Sequence, residues 1–398
     1  MEVLFVSHKY PPVVGGMEKQ SYELVTGMAT CTGVHKLVYD GRESRFRFFL
    51  SLGSRIRKVL KANPAIELIH FNDALIAAVA LLMYPDASCI KCVTVHGLDV
   101  VFPSRIYQKY ILPLFNRFDS IIAVSRATAD ECVKRGIASH KVCVINNGVD
   151  SRFYYQAREQ HLPVFVCERA GIELEGRPLL VMMGRPVKRK GFSWFLREVV
   201  PLLRHDFAIL IIGPLSSSAR PAPLIRMLPA LLGKQIQLLM AHTTDETELA
   251  QLLEQEHLKS RVRHIGRLSN DHVVSVLTSA DAFLMPNIEV EGDMEGFGLV
   301  CLEASLCGAT VFAANTGGIP DAIIHEKNGI LIPAGDKEKW AEQLNAFLTC
   351  PGRLKELSEN FREYSFQNYS WKKMVADYFA HFSDLQRTSP RAEKRQMA

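Results

Sequence analysis

Short apolar segments alternate with longer amphipathic segments along nearly the whole chain, and this alternation constrains the fold more than any other feature. Apolar runs of this length are typical of buried strands, and the segments between them carry helical periodicity. The pattern predicts βαβ units on parallel sheets. The predicted strands are, in chain order, Val3–Ser7, Lys36–Tyr39, Leu68–Phe71, Ile90–Val95, Ser120–Val124, Val142–Asn146, Leu179–Gly184, Ala208–Gly213, Val262–Gly266, Ala282–Pro286, Thr310–Ala313 and Gly329–Ile332.

These strands form two series, separated by a looser stretch from about residue 151 to 176. The chain has 398 residues, more than one ordinary core organises, so we expect two doubly wound α/β domains. Ligands of such sheets bind beyond the carboxyl ends of the strands. If the two sheets face each other, the active site is expected in the cleft between the domains.

Composition excludes several classes of protein. Hydrophobic residues make up 48% and charged residues 22%, as in soluble globular proteins, and no apolar run reaches the ~20 residues that span a bilayer. The first strand begins at once, without a basic leader, and nine scattered cysteines fit reduced thiols, so we expect a cytoplasmic protein. Cys89 and Cys92 form a C-x-x-C without the second pair that a zinc site needs. A net charge of +5 does not favour nucleic acid.

A glycine-rich turn joins the strand Ala282–Pro286 to an apolar helical pattern that begins at Gly298 and is expected to end at Gly308. Glu295 lies in the turn and Glu303 in the helical pattern. Unsatisfied backbone N–H groups and the positive end of the helix dipole favour a phosphate at such a turn. A carboxylate in an apolar helix needs a partner. A helix cap with one ion-paired core glutamate would give the same pattern.

Four cations follow another predicted strand, Leu179–Gly184: Arg185, Lys188, Arg189 and Lys190. Like charges in one turn repel each other unless an anion lies between them, and a diphosphate would satisfy them. The alternative is a solvated basic loop.

Two further features follow strands of the first series. Gly15 and Gly16 open the first helix, where bare backbone could contact a phosphate or a sugar. The dinucleotide fingerprint G-x-G-x-x-G is absent there, which disfavours a nicotinamide enzyme. His96 lies just past the strand Ile90–Val95, at the edge where sites form. A structural histidine and a structural glycine turn remain the alternatives.

The stretch Glu-Gly-Phe-Gly-Leu from Glu295, with Glu303 eight residues on, resembles the signature of the family 4 retaining glycosyltransferases (glycosyl transferases group 1). The resemblance covers roughly residues 1 to 385. It implies the GT-B fold, with two facing Rossmann-like domains at 1–165 and 170–366 and a helix, 367–385, that returns to the first domain. Residues 386–398 are polar and aperiodic, and we expect a disordered tail.

The resemblance also implies roles for individual residues. Catalytic roles fall to His96, Arg185, Lys190 and Glu295. Donor-binding roles fall to Gly15, Gly16, Arg185, Lys190, His264, Gly266, Gly296, Phe297, Gly298, Leu299 and Glu303. Arg185 and Lys190 would hold the donor diphosphate, Glu303 the ribose hydroxyls and Glu295 the donor sugar. No metal ligand and no cofactor other than the donor is expected, and the absence of Asp-x-Asp agrees with this.

The implied function is the retaining, metal-independent transfer of a hexose-type sugar from a nucleotide-diphosphate sugar to a saccharide or lipid-linked acceptor. Bacterial cell-surface polysaccharide or glycolipid synthesis is the implied setting. A nucleotide-sugar epimerase or hydrolase of the same two-domain fold would use the same donor residues and stays an alternative, as does a binding module that has lost catalysis.

The segment 42–61 is the most basic amphipathic stretch. One predicted face holds Phe46, Phe49, Leu50, Ile56 and Leu60. The cations expected outside it are Arg45, Arg55, Arg57, Lys58 and Lys61. Such a segment can bind anionic lipid headgroups, which would place the protein peripherally on the inner face of the plasma membrane. A solvated helix that lies on its own sheet is the alternative.

Overall fold

The computed structural model describes residues 1–13, 15–84, 89–157, 171, 176–214 and 244–388. It contains two parallel six-stranded sheets, and all twelve predicted strands are confirmed. The first sheet consists of β1 (Glu2–Ser7), β2 (Gly33–Val38), β3 (Ile66–Phe71), β4 (Ile90–Val95), β5 (Ser120–Ala123) and β6 (Val142–Val144). The second consists of β7 (Leu179–Met183), β8 (Ala208–Ile212), β9 (Val262–His264), β10 (Ala282–Met285), β11 (Thr310–Asn315) and β12 (Ile330–Pro333).

Helices connect the strands. In the first half of the chain they are α1 (Gly16–Met28), α2 (Arg45–Leu50), α3 (Leu52–Ala62), α4 (Ala74–Met83), α5 (Leu98–Val101), α6 (Arg126–Lys134) and α7 (Arg152–Gln156). In the second half they are α8 (Phe192–Trp194), α9 (Glu246–Leu253), α10 (Glu256–Lys259), α11 (Asn270–Ser279), α12 (Leu299–Leu306), α13 (Ile319–Ala322), α14 (Lys337–Thr349), α15 (Pro351–Asn368) and α16 (Trp371–Thr388). No helix among the described residues is both long and apolar enough to cross a membrane.

The chain forms two compact units. The first comprises Met1–Val149, Glu291–Phe297 and the residues from Tyr369 onward, and the second comprises Asp150–Val290 and Gly298–Asn368. The predicted boundary at residues 165–170 lies outside the described residues.

The first sheet has the strand order β2-β1-β3-β4-β5-β6. Its central strands are buried on both faces, which is why they read as continuous apolar runs. The chain winds in opposite directions from β1 and from β3, so the topological switch point of this sheet lies between these two strands. Ligands of doubly wound sheets bind at this point, beyond the carboxyl ends of the strands.

Helix α16 packs on the first sheet through a buried polar network. The hydroxyl of Tyr378 lies 2.8 Å from Oγ1 of Thr94, which in turn lies 3.0 Å from Nε2 of His70. All three residues are completely buried. Burial lowers the pKa of His70 to about 3, with smaller effects from His96 and His381, so this ring is neutral inside the sheet.

The second sheet has the order β12-β11-β10-β7-β8-β9. Its switch point lies between β7 and β10. Hydrophobic cores cover both faces of this sheet. Phe195 and Trp340 are in edge-to-face contact in the core on one face, and Phe283 lies in the core on the other face.

Two predictions are corrected by the structure. The tail was expected to be disordered from residue 386, but α16 continues to Thr388; residues 389–398 lie outside the described residues. The segment 42–61 is two helices, α2 and α3, which meet at Ser51. Its apolar face differs in part from the predicted one: Ile56 is buried as predicted, whereas Phe48 is buried and Phe46 is 44% exposed.

Candidate functional site

The cationic loop after β7 lies at the switch point of the second sheet. Residues Lys188–Lys190 form a single 3₁₀ turn that ends at Gly191, whose φ of 67° favours glycine. A β-carbon added to Gly191 would lie 2.0 Å from the carbonyl oxygen of Pro286, so only glycine fits. Ile288 N–H also donates to the carbonyl of Arg189 over 3.0 Å. These contacts hold the loop after β7 against the loop after β10. Strands β7 and β10 flank the switch point.

Lys190 and Arg185 differ in their surroundings within this loop. Lys190 is only 8% exposed and folds back over the end of β7, where a β-carbon added to Gly184 would lie 3.8 Å from its Nζ. The side chain of Arg185 is exposed. Burial removes solvent screening from an ammonium group, so an anion at this edge would interact with Lys190 more strongly than with a solvated lysine.

The loops that follow β8 and β9 lie at the same edge of the second sheet. A β-carbon added to Gly213, after β8, would lie 1.9 Å from the carbonyl oxygen of Gly184, and the Gly213 N–H donates to the carbonyl of Gly266. Nε2 of His264 lies 3.2 Å from the Gly213 carbonyl and must donate to it. Burial lowers the pKa of His264, which favours the neutral ring. His264 and Gly266 therefore belong to the same edge as Arg185.

Helix α12 begins at the same edge. Gly298 caps it in the left-handed region, with φ of 92°, and a β-carbon there would lie 3.6 Å from Met285 Cε at the end of β10. Leu299 is its first residue, and Glu303 lies one turn further in, half buried. The second unit thus contains seven of the predicted site residues: Arg185, Lys190, His264, Gly266, Gly298, Leu299 and Glu303.

Glu295, Gly296 and Phe297 belong to the first unit instead. A β-carbon added to Gly296 would lie 2.1 Å from the carbonyl oxygen of His96, and one added to Gly97 would lie 2.9 Å from Cα of Gly296. The backbone around Gly296 therefore lies directly against the residues that follow β4. Glu295, which is half buried, immediately precedes Gly296 in the chain.

His96 is held by the ends of β3 and β4. Its Nε2 lies 2.8 Å from the carbonyl oxygen of Asn72 and must donate to it, which leaves Nδ1 as the acceptor of the neutral ring. Its backbone N–H donates to Oδ1 of Asp99 over 2.8 Å. Burial raises the pKa of Asp99, and Asp73 adds to the rise, while His96 and the N–H donors oppose it. The orientation of His96 is thus fixed by backbone and by one carboxylate.

The predicted glycine turn at α1 is covered by a carboxylate. Glu18 is 7% exposed, and a β-carbon added to Gly15 would lie 2.4 Å from its Oε2. Nζ of Lys9 lies 3.5 Å from Oε1 of the same glutamate. A carboxylate at the N-terminus of a helix competes with phosphate for that position. Gly15 and Gly16 therefore offer a sugar hydroxyl a better site than a phosphate.

Sequence reasoning missed a buried pair at the switch point of the first sheet. Nδ1 of His8, which follows β1, lies 2.9 Å from Oδ2 of Asp73, which follows β3. Oδ1 of Asp73 accepts from the Ile76 N–H and caps α4. Burial opposes ionisation of Asp73, but His8 and the cap hold its pKa below the ordinary value. Both residues follow predicted strands, but the sequence alone does not show that β1 and β3 are neighbours.

Comparison with known proteins identifies the family. Residues 168–367 match the profile of glycosyl transferases group 1, half of the chain, and residues 2–153 match the profile of Glycosyltransferase Family 4. The chain belongs to the glycosyl transferases group 1. The resemblance drawn from the Glu295–Glu303 stretch is thereby confirmed.

Relatives and solved structures agree with this assignment. The chain is 27% identical over 269 residues to the D-inositol 3-phosphate glycosyltransferase of Salinispora tropica, a match over 65% of this chain and 49% of that protein. It is 25% identical to the putative colanic acid biosynthesis glycosyltransferase WcaL of Escherichia coli, over 80% of this chain and 71% of the relative. The chain thus spans only about half the length of the Salinispora relative.

The structure of Anabaena HepE in complex with UDP and glucose superposes with a TM-score of 0.69, at 20% identity over 97% of this chain and 100% of HepE. A likeness at this identity shows the fold alone. Together with the family, it confirms the predicted GT-B class.

Proposed function

We propose that this group 1 glycosyltransferase moves a hexose-type sugar from a nucleoside-diphosphate sugar to a saccharide or lipid-linked acceptor, with retention and without a metal ion. The observation that carries the proposal is the buried Lys190 in a cationic loop at the β7/β10 switch point. A nucleoside diphosphate is an anion that the cations of this loop could bind. The complex of HepE with UDP and glucose supports such a donor for a protein of the same fold.

The chemistry assigned to this edge is stabilisation of a leaving group. When the bond between the anomeric carbon and the phosphate breaks, its electron pair leaves with the diphosphate. Lys190, Arg185 and the backbone N–H groups that open α12 would stabilise the developing negative charge. Glu303, on the same helix, would bind the ribose hydroxyls. Because these groups supply the positive charge, no metal ion is required in this proposal.

Residues of the first unit would act on the sugar. The fixed orientation of His96 leaves its Nδ1 free to accept from a hydroxyl of the donor sugar. Glu295, which precedes the glycine that packs against the His96 carbonyl, would bind the sugar near the reacting carbon. Retention would follow if the acceptor attacks the face that the phosphate leaves, with the departing phosphate taking the proton of the acceptor hydroxyl. Glu295 is therefore not assigned as a nucleophile.

The first test is a thermal-shift screen over nucleotides and nucleotide sugars. A ligand at a hundredfold excess over its Kd stabilises the folded state by roughly 2.7 kcal/mol, which corresponds to a shift of several degrees. Donors that bind are then incubated with and without acceptor, in the presence of EDTA. A glycoside of retained configuration supports the proposal. Free sugar or an isomerised donor as the only product would support the hydrolase or epimerase instead.

We also propose peripheral contact with an anionic membrane through residues 42–61, which would fit a lipid-linked acceptor in polysaccharide or glycolipid synthesis. The segment has seven cations and one carboxylate, Glu43. That carboxylate is bound by Arg55 over 2.6 and 2.8 Å, and Arg42 pairs with Asp40 over 3.3 Å. The other five cations of the segment would meet lipid headgroups. Phe46 and Leu50 are 44% and 58% exposed among these cations.

Flotation with vesicles tests the membrane contact. The wild type should float with phosphatidylcholine vesicles that contain phosphatidylglycerol and not with phosphatidylcholine alone. The double variant Phe46→Ser, Leu50→Ser should lose most of this binding, because its apolar side chains no longer insert. Leu202→Ser, at a residue 41% exposed on the second unit, is the control. Equal flotation of the wild type and the double variant would contradict the proposal.

A further inference from the structure

The pair formed by His8 and Asp73 lies where a doubly wound sheet binds its ligand. His8 is the first residue after β1 and Asp73 the second after β3, and these strands flank the switch point of the first sheet. The two side chains are 6% and 2% exposed and 2.9 Å apart. No catalytic or donor-binding role described above uses either residue.

The geometry orients the His8 ring. A carboxylate only accepts hydrogen bonds, so Nδ1, which faces Oδ2 of Asp73, carries a hydrogen. Nε2 is then the nitrogen that can meet a ligand, as an acceptor in the neutral ring or as a donor in the protonated ring. In the part of the chain that the structure describes, no hydrogen bond to Nε2 is formed. The other side of the ring packs against Phe49 of α2, with ring centroids 5.3 Å apart.

Asp73 cannot move without loss of two contacts. Its Oδ1 accepts from the Ile76 N–H over 3.0 Å at the start of α4, and its Oδ2 binds His8. A carboxylate held by a helix cap orients an imidazole in the same way as the carboxylate of a catalytic triad orients its histidine. The ring of His8 is therefore held in one orientation.

The charges around this pair are compensated within the first unit. Lys9, beside His8, lies 3.5 Å from Glu18 of α1, and the two oxygens of Asp99 accept from the N–H groups of His96 and Ala74. Phe49 faces the ring from α2. A phosphorylated ligand would meet Asp73, Asp99 and Glu18 here, whereas a hydroxyl group carries no charge and can hydrogen-bond to Nε2 of His8 as donor or as acceptor.

We propose that His8 binds a hydroxyl group of the acceptor through Nε2, that Asp73 is its positioning residue, and that the acceptor is a neutral sugar or polyol where it meets this edge. The proposal rests on the proposed function and adds the chemical class of the acceptor. It predicts that the pair affects the acceptor and not the donor, because the diphosphate is assigned to the second unit.

The test uses the full-length protein, the donor identified by the thermal-shift screen, and a panel of octyl hexopyranosides with their 6-phosphates as acceptors. We expect at least one neutral glycoside to be used with a kcat/KM about tenfold or more above that of its phosphate. His8→Phe removes Nε2. Asp73→Asn keeps the helix cap but turns either an amide oxygen or an amide NH₂ towards His8. Both variants should raise the KM of the acceptor about tenfold and leave the KM of the donor within about twofold.

His35→Gln is the matched control, because Nε2 of His35 pairs with Glu2 over 2.8 Å at the opposite end of β1. This variant should change neither the KM of the acceptor nor the KM of the donor. Preference for the phosphorylated acceptors, failure of every neutral glycoside, or an unchanged acceptor KM in both variants would overturn the proposal. Equal effects on donor and acceptor KM would overturn it too, since that is the result of a structural role. Wild-type protein that neither binds nor hydrolyses any nucleotide sugar would overturn the proposed function instead.

Discussion

The two sheets have the same number of strands but carry different chemistry at their switch points. Beyond β7, at its switch point, the second sheet carries cations, with Lys190 buried beside Gly184. Beyond β1 and β3 the first sheet carries imidazole and carboxylate groups that are paired with each other, His8 with Asp73 among them. A cationic edge favours a polyanion, and a compensated edge favours groups without charge. On the proposed function, we therefore expect the diphosphate at the second unit and hydroxyl groups at the first.

The difference also extends to how each edge is fixed. Gly191 in the second unit and Gly296 in the first each lie so close to a carbonyl oxygen that a β-carbon would overlap it, at 2.0 and 2.1 Å. Each edge is thus held by one close approach of backbone: Gly191 approaches Pro286, and Gly296 approaches His96. The positions of Lys190 and of Glu295 depend on these two contacts.

The largest effect is expected from Lys190→Ala. Loss of a buried charge that stabilises the leaving group should lower kcat about 10²- to 10³-fold and remove the thermal stabilisation by nucleoside diphosphates. Lys188→Ala, at an exposed lysine of the same turn, is the control and should stay within about threefold. Steady-state kinetics and thermal shift measure both. A Lys190→Ala enzyme with near-normal turnover would remove the distinction between the two edges.

The two glycine contacts should be separable by substitution. Gly296→Ala forces backbone away from His96 and should lower kcat about 10²-fold, because a shift of about 1 Å at a reacting centre has this effect. Nucleotide binding should be retained. Gly191→Ala should instead lose nucleotide binding. Gly33→Ala, where the new carbon meets only the flexible side chain of Glu2, is the control for both. Loss of nucleotide binding in Gly296→Ala alone would reverse the assignment.

Ionic strength should affect the two substrates differently. Salt screens the attraction between a diphosphate and a cationic loop that is partly exposed, as at Arg185. We expect the KM of the donor to rise several-fold between 0.05 and 0.5 M NaCl, and the KM of a neutral acceptor to change less than about twofold. Equal salt dependence of the two constants would indicate that both edges bind charge.

The smallest effect concerns stability. The pKa of His70 is lowered to about 3 by burial in the first sheet, so the unfolded chain binds a proton there at a higher pH than the folded chain does. The free energy of unfolding should therefore fall as pH decreases from about 6.5 towards 3, by up to about 1.4 kcal/mol per pH unit from this group. His70→Gln should show a shallower decrease in denaturant unfolding between pH 6.5 and 4. His35→Gln, at a half-exposed histidine, should retain the wild-type slope.

Much of the fold could be predicted because the signals are local. Strands buried on both faces read as continuous apolar runs, and all twelve were found within a few residues of their observed ends. The cationic turn and the bounds of α12 were likewise predicted from the sequence. Glycines at the ends of a helix and a run of charges are recognised without tertiary information. These features account for most of the second unit's edge.

The remaining features depend on which segments are neighbours. That His8 meets Asp73 follows from the pairing of β1 with β3, which the chain order does not reveal. The packing of Gly296 on His96 joins segments about 200 residues apart in the chain and needs the tertiary structure. The apolar face of 42–61 was predicted only in part, because the periodicity was read as one helix, whereas α2 ends at Leu50 and α3 begins at Leu52.

The most direct test measures the thermal shift produced by nucleoside diphosphates in three proteins: the wild type, Lys190→Ala and His8→Phe. We expect at least one diphosphate to stabilise the wild type and His8→Phe by the same several degrees, and to leave Lys190→Ala unchanged. A Lys190→Ala protein that is stabilised as much as the wild type, or a His8→Phe protein that is not stabilised, would contradict the assignment of the diphosphate to the second unit.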